Sequence, residues 1–190
     1  MADEPVPVAV SPYNAANILT VLRIVMVPIF VAIVAATSLT GTGSRIAACL
    51  VFCVASATDY VDGWIARRWS MVTSFGKIAD PIADKALTGS ALILFSIYDR
   101  LPWWVTVAIL VREWGVTLMR LWVIRYGVIA ASRGGKLKTV LQIAAIAWYL
   151  WPVPEPFDVV GPWLMGAALV VTVVTGGDYV VQAVRLRRGN

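Results

Sequence analysis

The sequence contains no histidine and only two cysteines, Cys49 and Cys53. The two stand four residues apart inside an apolar run, and without histidine they cannot complete a zinc site, so they read as small buried thiols. Charge is also sparse. Of the 190 residues 14% are charged and 59% hydrophobic, and a mean hydropathy of +0.78 is far too apolar for an ordinary water-soluble domain of this size. Residues 1–12 are polar, contain proline and lack the positive n-region of a cleavable signal peptide. They are expected to form a short disordered cytoplasmic tail ahead of one membrane domain over 13–190. No internal repeat and no low-complexity segment is present.

What is abundant is long apolar sequence. Runs at about 18–36, 46–65, 78–98, 103–123, 139–151 and 159–184 predict an all-α integral membrane protein with six transmembrane helices, most reaching the ~20 residues that span a hydrocarbon core. The fifth run is short, although Lys136 and Lys138 can snorkel at one end while Trp148 and Trp151 anchor the other. Nine Trp and ten Pro suit the same setting, since Trp gathers at headgroup level and Pro is tolerated in buried helices. The net charge of +5 is concentrated at the ends of these runs. Arg67 and Arg68, then Arg133, Lys136 and Lys138, then Arg185, Arg187 and Arg188 fall on one side, and the opposite loops are poor in cations. The positive-inside rule then predicts a multi-pass protein of the cell membrane with both termini cytoplasmic, interacting with membrane lipids and not with nucleic acid.

Carboxylates inside a span cost roughly 2.5–3.5 kcal/mol each on insertion scales, so they require a reason. Four occur close together: Asp59 and Asp62 near the end of the second span, Asp80 and Asp84 near the start of the third. Spacings of i,i+3 and i,i+4 put each pair on one helix face, and both pairs lie at a similar shallow depth from the cytoplasmic side. Four like charges at one level repel unless cations neutralise them. Oxygen-only ligands select hard ions such as Mg²⁺ or Mn²⁺, and four carboxylates suit a two-metal centre. Gly63, Ala66 and Gly76 leave room around the acids, and Arg67 supplies a planar cation suited to phosphate or pyrophosphate. Together these point to phosphoryl chemistry on a lipid.

The spacing Asp59-x2-Asp62-Gly63-x2-Ala66-Arg67-x8-Gly76-x3-Asp80-x3-Asp84 resembles the motif of the CDP-alcohol phosphatidyltransferase family at every fixed position. Further likeness, to the phosphatidylglycerophosphate synthases within that family, is carried by Asn17-Ile-Leu-Thr20-Val-Leu-Arg23, by the Asp59 to Arg68 and Phe75 to Lys85 runs, by Arg112-Glu113 and by Gly135-Lys-Leu-Lys-Thr139. The resemblance implies six transmembrane helices, a cytoplasm-facing polar cavity, a homodimer and two Mg²⁺ or Mn²⁺ ions per site. It implies Asp59, Asp62, Asp80 and Asp84 as metal ligands, with Asp84 also the general base. Gly63, Arg67 and Thr73, with Ala66 and Gly76 beside them, are implied to line the CDP-lipid site. The implied reaction moves the phosphatidyl group of CDP-diacylglycerol to sn-glycerol 3-phosphate. For that acceptor's phosphate the cytoplasmic-side cations Arg112, Arg120, Lys136 and Lys138 are the candidates.

Bland alternatives stand beside these expectations. The acids could be salt-bridged to Arg67, Lys77 and Lys85; Arg67, Arg68, Lys136 and Lys138 could be topology anchors; Gly63, Ala66 and Gly76 could serve only helix packing; Thr20 and Asn17 could hydrogen-bond between helices or stand near the nucleotide. Phosphatidylinositol-phosphate synthase and cardiolipin synthase activities are the alternatives within the family. A divalent-cation transporter is the alternative of another class, and its acids would sit near the bilayer midplane.

Overall fold

The computed structural model describes residues 15–68, 74–123 and 133–188, with side chains for 17–61, 79–119, 122 and 134–185. Among these residues there are six α-helices, one short 3₁₀ turn and no strand: α1 Ala15–Thr37, α2 Thr42–Arg68, α3 Ser74–Ile97, α4 Trp103–Val123, α5 Arg133–Leu150 and α6 Val160–Arg188. Each apolar run became a helix. The fifth is longer than its apolar core, because Arg133 to Lys138 continue the helix. Pro28 and Pro81 lie inside α1 and α3, where each removes one helical N–H donor, as membrane helices tolerate.

Short connections fix the order of the helices. α1 ends where Ser38 and Leu39 take positive φ of 50° and 58°, and the strain is offset because Leu39 is carried into the core, 1% exposed. α3 ends in a Schellman-type turn, with Asp99 at φ 53° and the Arg100 N–H reaching the Phe95 carbonyl at 2.7 Å. The C-terminal end of α5 is closed from another helix: the Arg45 guanidinium, at the start of α2, donates to the carbonyls of Leu150, Tyr149 and Trp151 at 3.2, 3.2 and 2.7 Å. Those carbonyls have no partner within α5, and a cation is the favoured group there.

α1 packs chiefly on α2 and then α3, α5 on α6, and α4 on α6. The interior has two unlike halves. Phe30, Val34, Leu39, Phe52, Leu92, Phe95, Ile109, Ile146 and Leu150 form a dry core towards the end where α1, α3 and α5 finish. Towards the other end lie most of the buried polar residues, Asn17, Thr20, Arg23, Lys138, Gln142, Thr172 and Thr175, beside Ala79, Ala83, Tyr179 and Ala183, whereas the only polar residues buried in the dry half, among the described residues, are the hydrogen-bonded pair Ser96 and Thr106. Large apolar side chains instead cover the outside of the bundle, among them Ile18, Val25, Val111, Leu118, Val140, Val170 and Val173, each more than half exposed. An apolar exterior around a half-polar interior is the arrangement of an all-α membrane protein. Trp103, Trp104, Trp151 and Trp163 are exposed at the helix ends that share the dry half, as an interfacial belt requires.

Among the described residues three stretches have the length and composition to cross a membrane, Asn17–Thr37, Thr42–Val61 and Phe157–Arg185. α3, α4 and α5 are charged as well as apolar: Lys77, Asp80, Asp84 and Lys85 lie on α3, Arg112, Glu113 and Arg120 on α4, and Arg133, Lys136 and Lys138 on α5.

Candidate active site at the polar end of the bundle

α2 and α3 are joined through residues 69–73 and run antiparallel. Asp59 lies nine residues before the end of α2 and Asp84 ten after the start of α3, about 14 and 15 Å along the helix axes; Asp62 and Asp80 are each six residues from those ends, about 9 Å. The acids therefore occupy two matched levels.

α1 ties the two helices together at those levels. Thr20 and Arg23 are one turn apart on one face of α1, and each reaches a different helix. Arg23 Nη1 is 2.6 Å from Asp59 Oδ1, and the Thr20 hydroxyl donates to Asp80 Oδ1 at 2.6 Å. Arg23 and Thr20 are buried, whereas the Asp59 side chain is 41% exposed. A fully buried guanidinium requires an anion, so the pair fixes the carboxylate from the protein side while its other side faces outward. The charges acting on Asp84, one turn deeper on α3, are Lys85, Lys138, Glu113 and Arg23. Among the described residues Asp59 and Asp80 are thus met by α1; the side chains of Arg67 and Lys77, two of the expected salt-bridge partners, lie outside the described residues.

Asp62, Gly63, Ala66, Arg67 and Gly76 lie on α2 and α3, but their side chains are outside the described residues, as is the whole of Thr73. Among the described residues no group of three or more metal-ligating side chains converges. Asp59 and Asp80 do offer carboxylate oxygens from two helices to one face of α1, a donor chemistry that fits a hard divalent cation.

A second polar cluster joins α4, α5 and α6. Glu113 Oε1 accepts from Lys138 Nζ at 2.8 Å and from Arg112 Nη1 at 3.0 Å, and Arg112 Nη2 donates to Thr175 Oγ1 at 2.7 Å. The three charged side chains are 9–14% exposed. One carboxylate between two cations leaves a net charge of +1 in a sheltered place, a suitable seat for an anion. Of the four expected phosphate ligands, Arg112 and Lys138 are brought together here, Lys136 is exposed, and the Arg120 side chain lies outside the described residues. Lys136 and Lys138 differ because two residues correspond to about 200° around a helix.

The sequence profile of the family "CDP-alcohol phosphatidyltransferase" matches residues 13–174. The chain belongs to that family. It is 51% identical over 172 residues to a Mycobacterium tuberculosis protein named "Probable phosphatidylglycerophosphate synthase", covering 90% of this chain and 82% of the relative. It is 38% identical over 166 residues to the Shigella flexneri "CDP-diacylglycerol–glycerol-3-phosphate 3-phosphatidyltransferase", covering 84% and 89%. The Escherichia coli protein of the same name is 39% identical over 145 residues, 73% of this chain and 78% of the relative. Membership makes the chain a multi-pass membrane transferase of phospholipid biosynthesis, in a family generally dependent on divalent metal, and gives the transporter alternative no support.

The expected hydrogen bond of Thr20 to another helix is present, whereas the pairing of Arg23 with Asp59 and the position of Glu113 between Arg112 and Lys138 were missed from sequence. A usable signal existed for α1: Arg23 is a lone cation within an apolar run, and an intramembrane cation needs a partner as much as an acid does.

Proposed function

We propose that this chain transfers the phosphatidyl group of CDP-diacylglycerol to sn-glycerol 3-phosphate, giving phosphatidylglycerophosphate and CMP. The observation that carries the reading is the α1 turn whose Thr20 and Arg23 hold Asp80 and Asp59, family-motif acids on two different helices, next to a separate cationic cluster on α4 and α5. The names of the relatives agree with this reaction.

Asp59, Asp62, Asp80 and Asp84 would hold two Mg²⁺ or Mn²⁺ ions, which when bound supply positive charge to the pyrophosphate. Arg23 and Thr20 orient Asp59 and Asp80 for that role. Gly63, Arg67 and Thr73, with Ala66 and Gly76 giving space, would receive the CDP portion. Arg112 and Lys138 would bind the acceptor's phosphate, directing its hydroxyl towards Asp84. Asp84 takes the hydroxyl proton, the oxygen attacks the phosphorus bearing the diacylglycerol, and the bond to CMP breaks with the electron pair leaving on CMP. Charge placement supports six spans from residue 13 on, with both termini and the cavity on the cytoplasmic side of the cell membrane. The homodimer implied by the family resemblance belongs to the same proposal.

The test is an acceptor screen with purified protein, CDP-diacylglycerol and Mg²⁺ or Mn²⁺. CMP release with glycerol 3-phosphate is expected. Release only with inositol phosphate or with phosphatidylglycerol would move the activity to another branch of the family.

A further inference from the structure

Thr175 and Gly176 lie on α6 just beyond the residues matched by the family profile, and both act on Arg112. The Thr175 hydroxyl donates its proton back to the Val171 carbonyl at 2.7 Å, within its own helix. Its lone pairs are thereby directed outward, and Arg112 Nη2 donates to them at 2.7 Å. Gly176 removes bulk at the same place: a Cβ there would meet Arg112 Cγ at 3.0 Å and Nε at 3.4 Å. Nη1 is held by Glu113, so the guanidinium is gripped at two nitrogens by groups from two helices.

The grip does not exhaust the guanidinium. It has five N–H donors; the bonds to Glu113 and Thr175 use one on each Nη and leave a second N–H on each, while Nε is buried against Gly176 and is not offered to a ligand. Lys138 spends one bond on Glu113. Spare donors on two cations, joined through one carboxylate oxygen and sheltered from water, form a preorganised anion seat.

We infer that Thr175 and Gly176, acting through Arg112, are positioning residues that set recognition of the acceptor's phosphate. The inference rests on the proposed assignment of Arg112 and Lys138 to that phosphate. α6 thereby contributes to acceptor selectivity without touching the acceptor. A cluster serving only to pack α4, α5 and α6 would alter stability but would not discriminate between the two substrates.

The experiment measures apparent KM for each substrate, and kcat, with purified full-length protein, after the wild-type acceptor screen. Thr175→Val keeps the shape and removes the lone pairs. It is expected to raise KM for glycerol 3-phosphate about tenfold while KM for CDP-diacylglycerol stays within about twofold, and Thr175→Ser is expected to restore the wild-type value. Gly176→Ala should shift KM in the same direction, and carries the test if Thr175→Val is not recovered as a monodisperse protein. Equilibrium binding of glycerol 3-phosphate, compared with glycerol, to the protein without CDP-lipid should weaken in parallel. An unchanged acceptor KM, an equal rise in both KM values, or failure of Ser to rescue would overturn the inference. If the wild type uses a different phosphorylated acceptor, the glycerol 3-phosphate reading fails and the same variants are measured with that acceptor. If it uses only an acceptor without phosphate, the inference itself falls.

Discussion

Replacing Glu113 by Gln removes the one carboxylate shared by Arg112 and Lys138 and leaves the shape of the side chain intact. At separations of 3.0 and 2.8 Å the gross attraction is about 5.5 and 6 kcal/mol for an effective dielectric of ~20. Most of that is offset by desolvation, and what the variant exposes is the cost of two cations left 9–13% exposed with a neutral amide between them. Loss of one partner from a buried pair costs about 3–5 kcal/mol, on the order of 10 °C in melting temperature for a chain of this length. Cys49 and Cys53 provide the assay: one is buried and the other half-buried, so a thiol-reactive dye reports unfolding in detergent. Combining Glu113→Gln with Lys138→Met should recover part of the loss, because one stranded cation is removed, and the cycle should show a coupling of about 1–3 kcal/mol. Melting of Glu113→Gln within about 2 °C of the wild type, with no coupling to Lys138, would refute the buried network as a source of order.

Further expectations follow from the same geometry. Asp84→Asn should release less than about one-thousandth of the wild-type CMP while melting normally, and near-wild-type rates would remove Asp84 as the base. Chelation with EDTA should abolish turnover and added Mg²⁺ or Mn²⁺ should restore it, as read from CMP release. Thr20→Val takes away the donor to Asp80 and should weaken the apparent metal affinity about 10–100-fold in a metal-activation curve, with Thr20→Ser close to wild type. Lys138→Ala should raise KM for glycerol 3-phosphate more than tenfold, whereas exposed Lys136→Ala should change it by less than about twofold.

Much of this was legible in sequence because bilayer physics is severe. Apolar runs near the spanning length had few alternatives to helix, and four acids at i,i+3 and i,i+4 had to share faces. The α5 boundary was less legible, since a helix in a bundle can continue through Arg133 to Lys138 once one of those cations finds a partner on α4. Partner choice was hidden for a related reason. Arg23 and Asp59 are separated by 36 positions and Arg112 and Thr175 by 63, and only tertiary packing brings such residues together. Lys136 and Lys138 looked equivalent as cations near a helix end, and the helical rotation between them separated a buried role from an exposed one.

The central claim is that α2 and α3 present their paired acids to bound divalent cations at one shallow level. Crystals of the protein grown with Mn²⁺ and measured at the manganese absorption edge test it directly. Anomalous peaks are expected within ligand distance of carboxylates from both helices, Asp59 and Asp62 on one and Asp80 and Asp84 on the other. Manganese bound elsewhere, or those carboxylates directed away from one another, would contradict it.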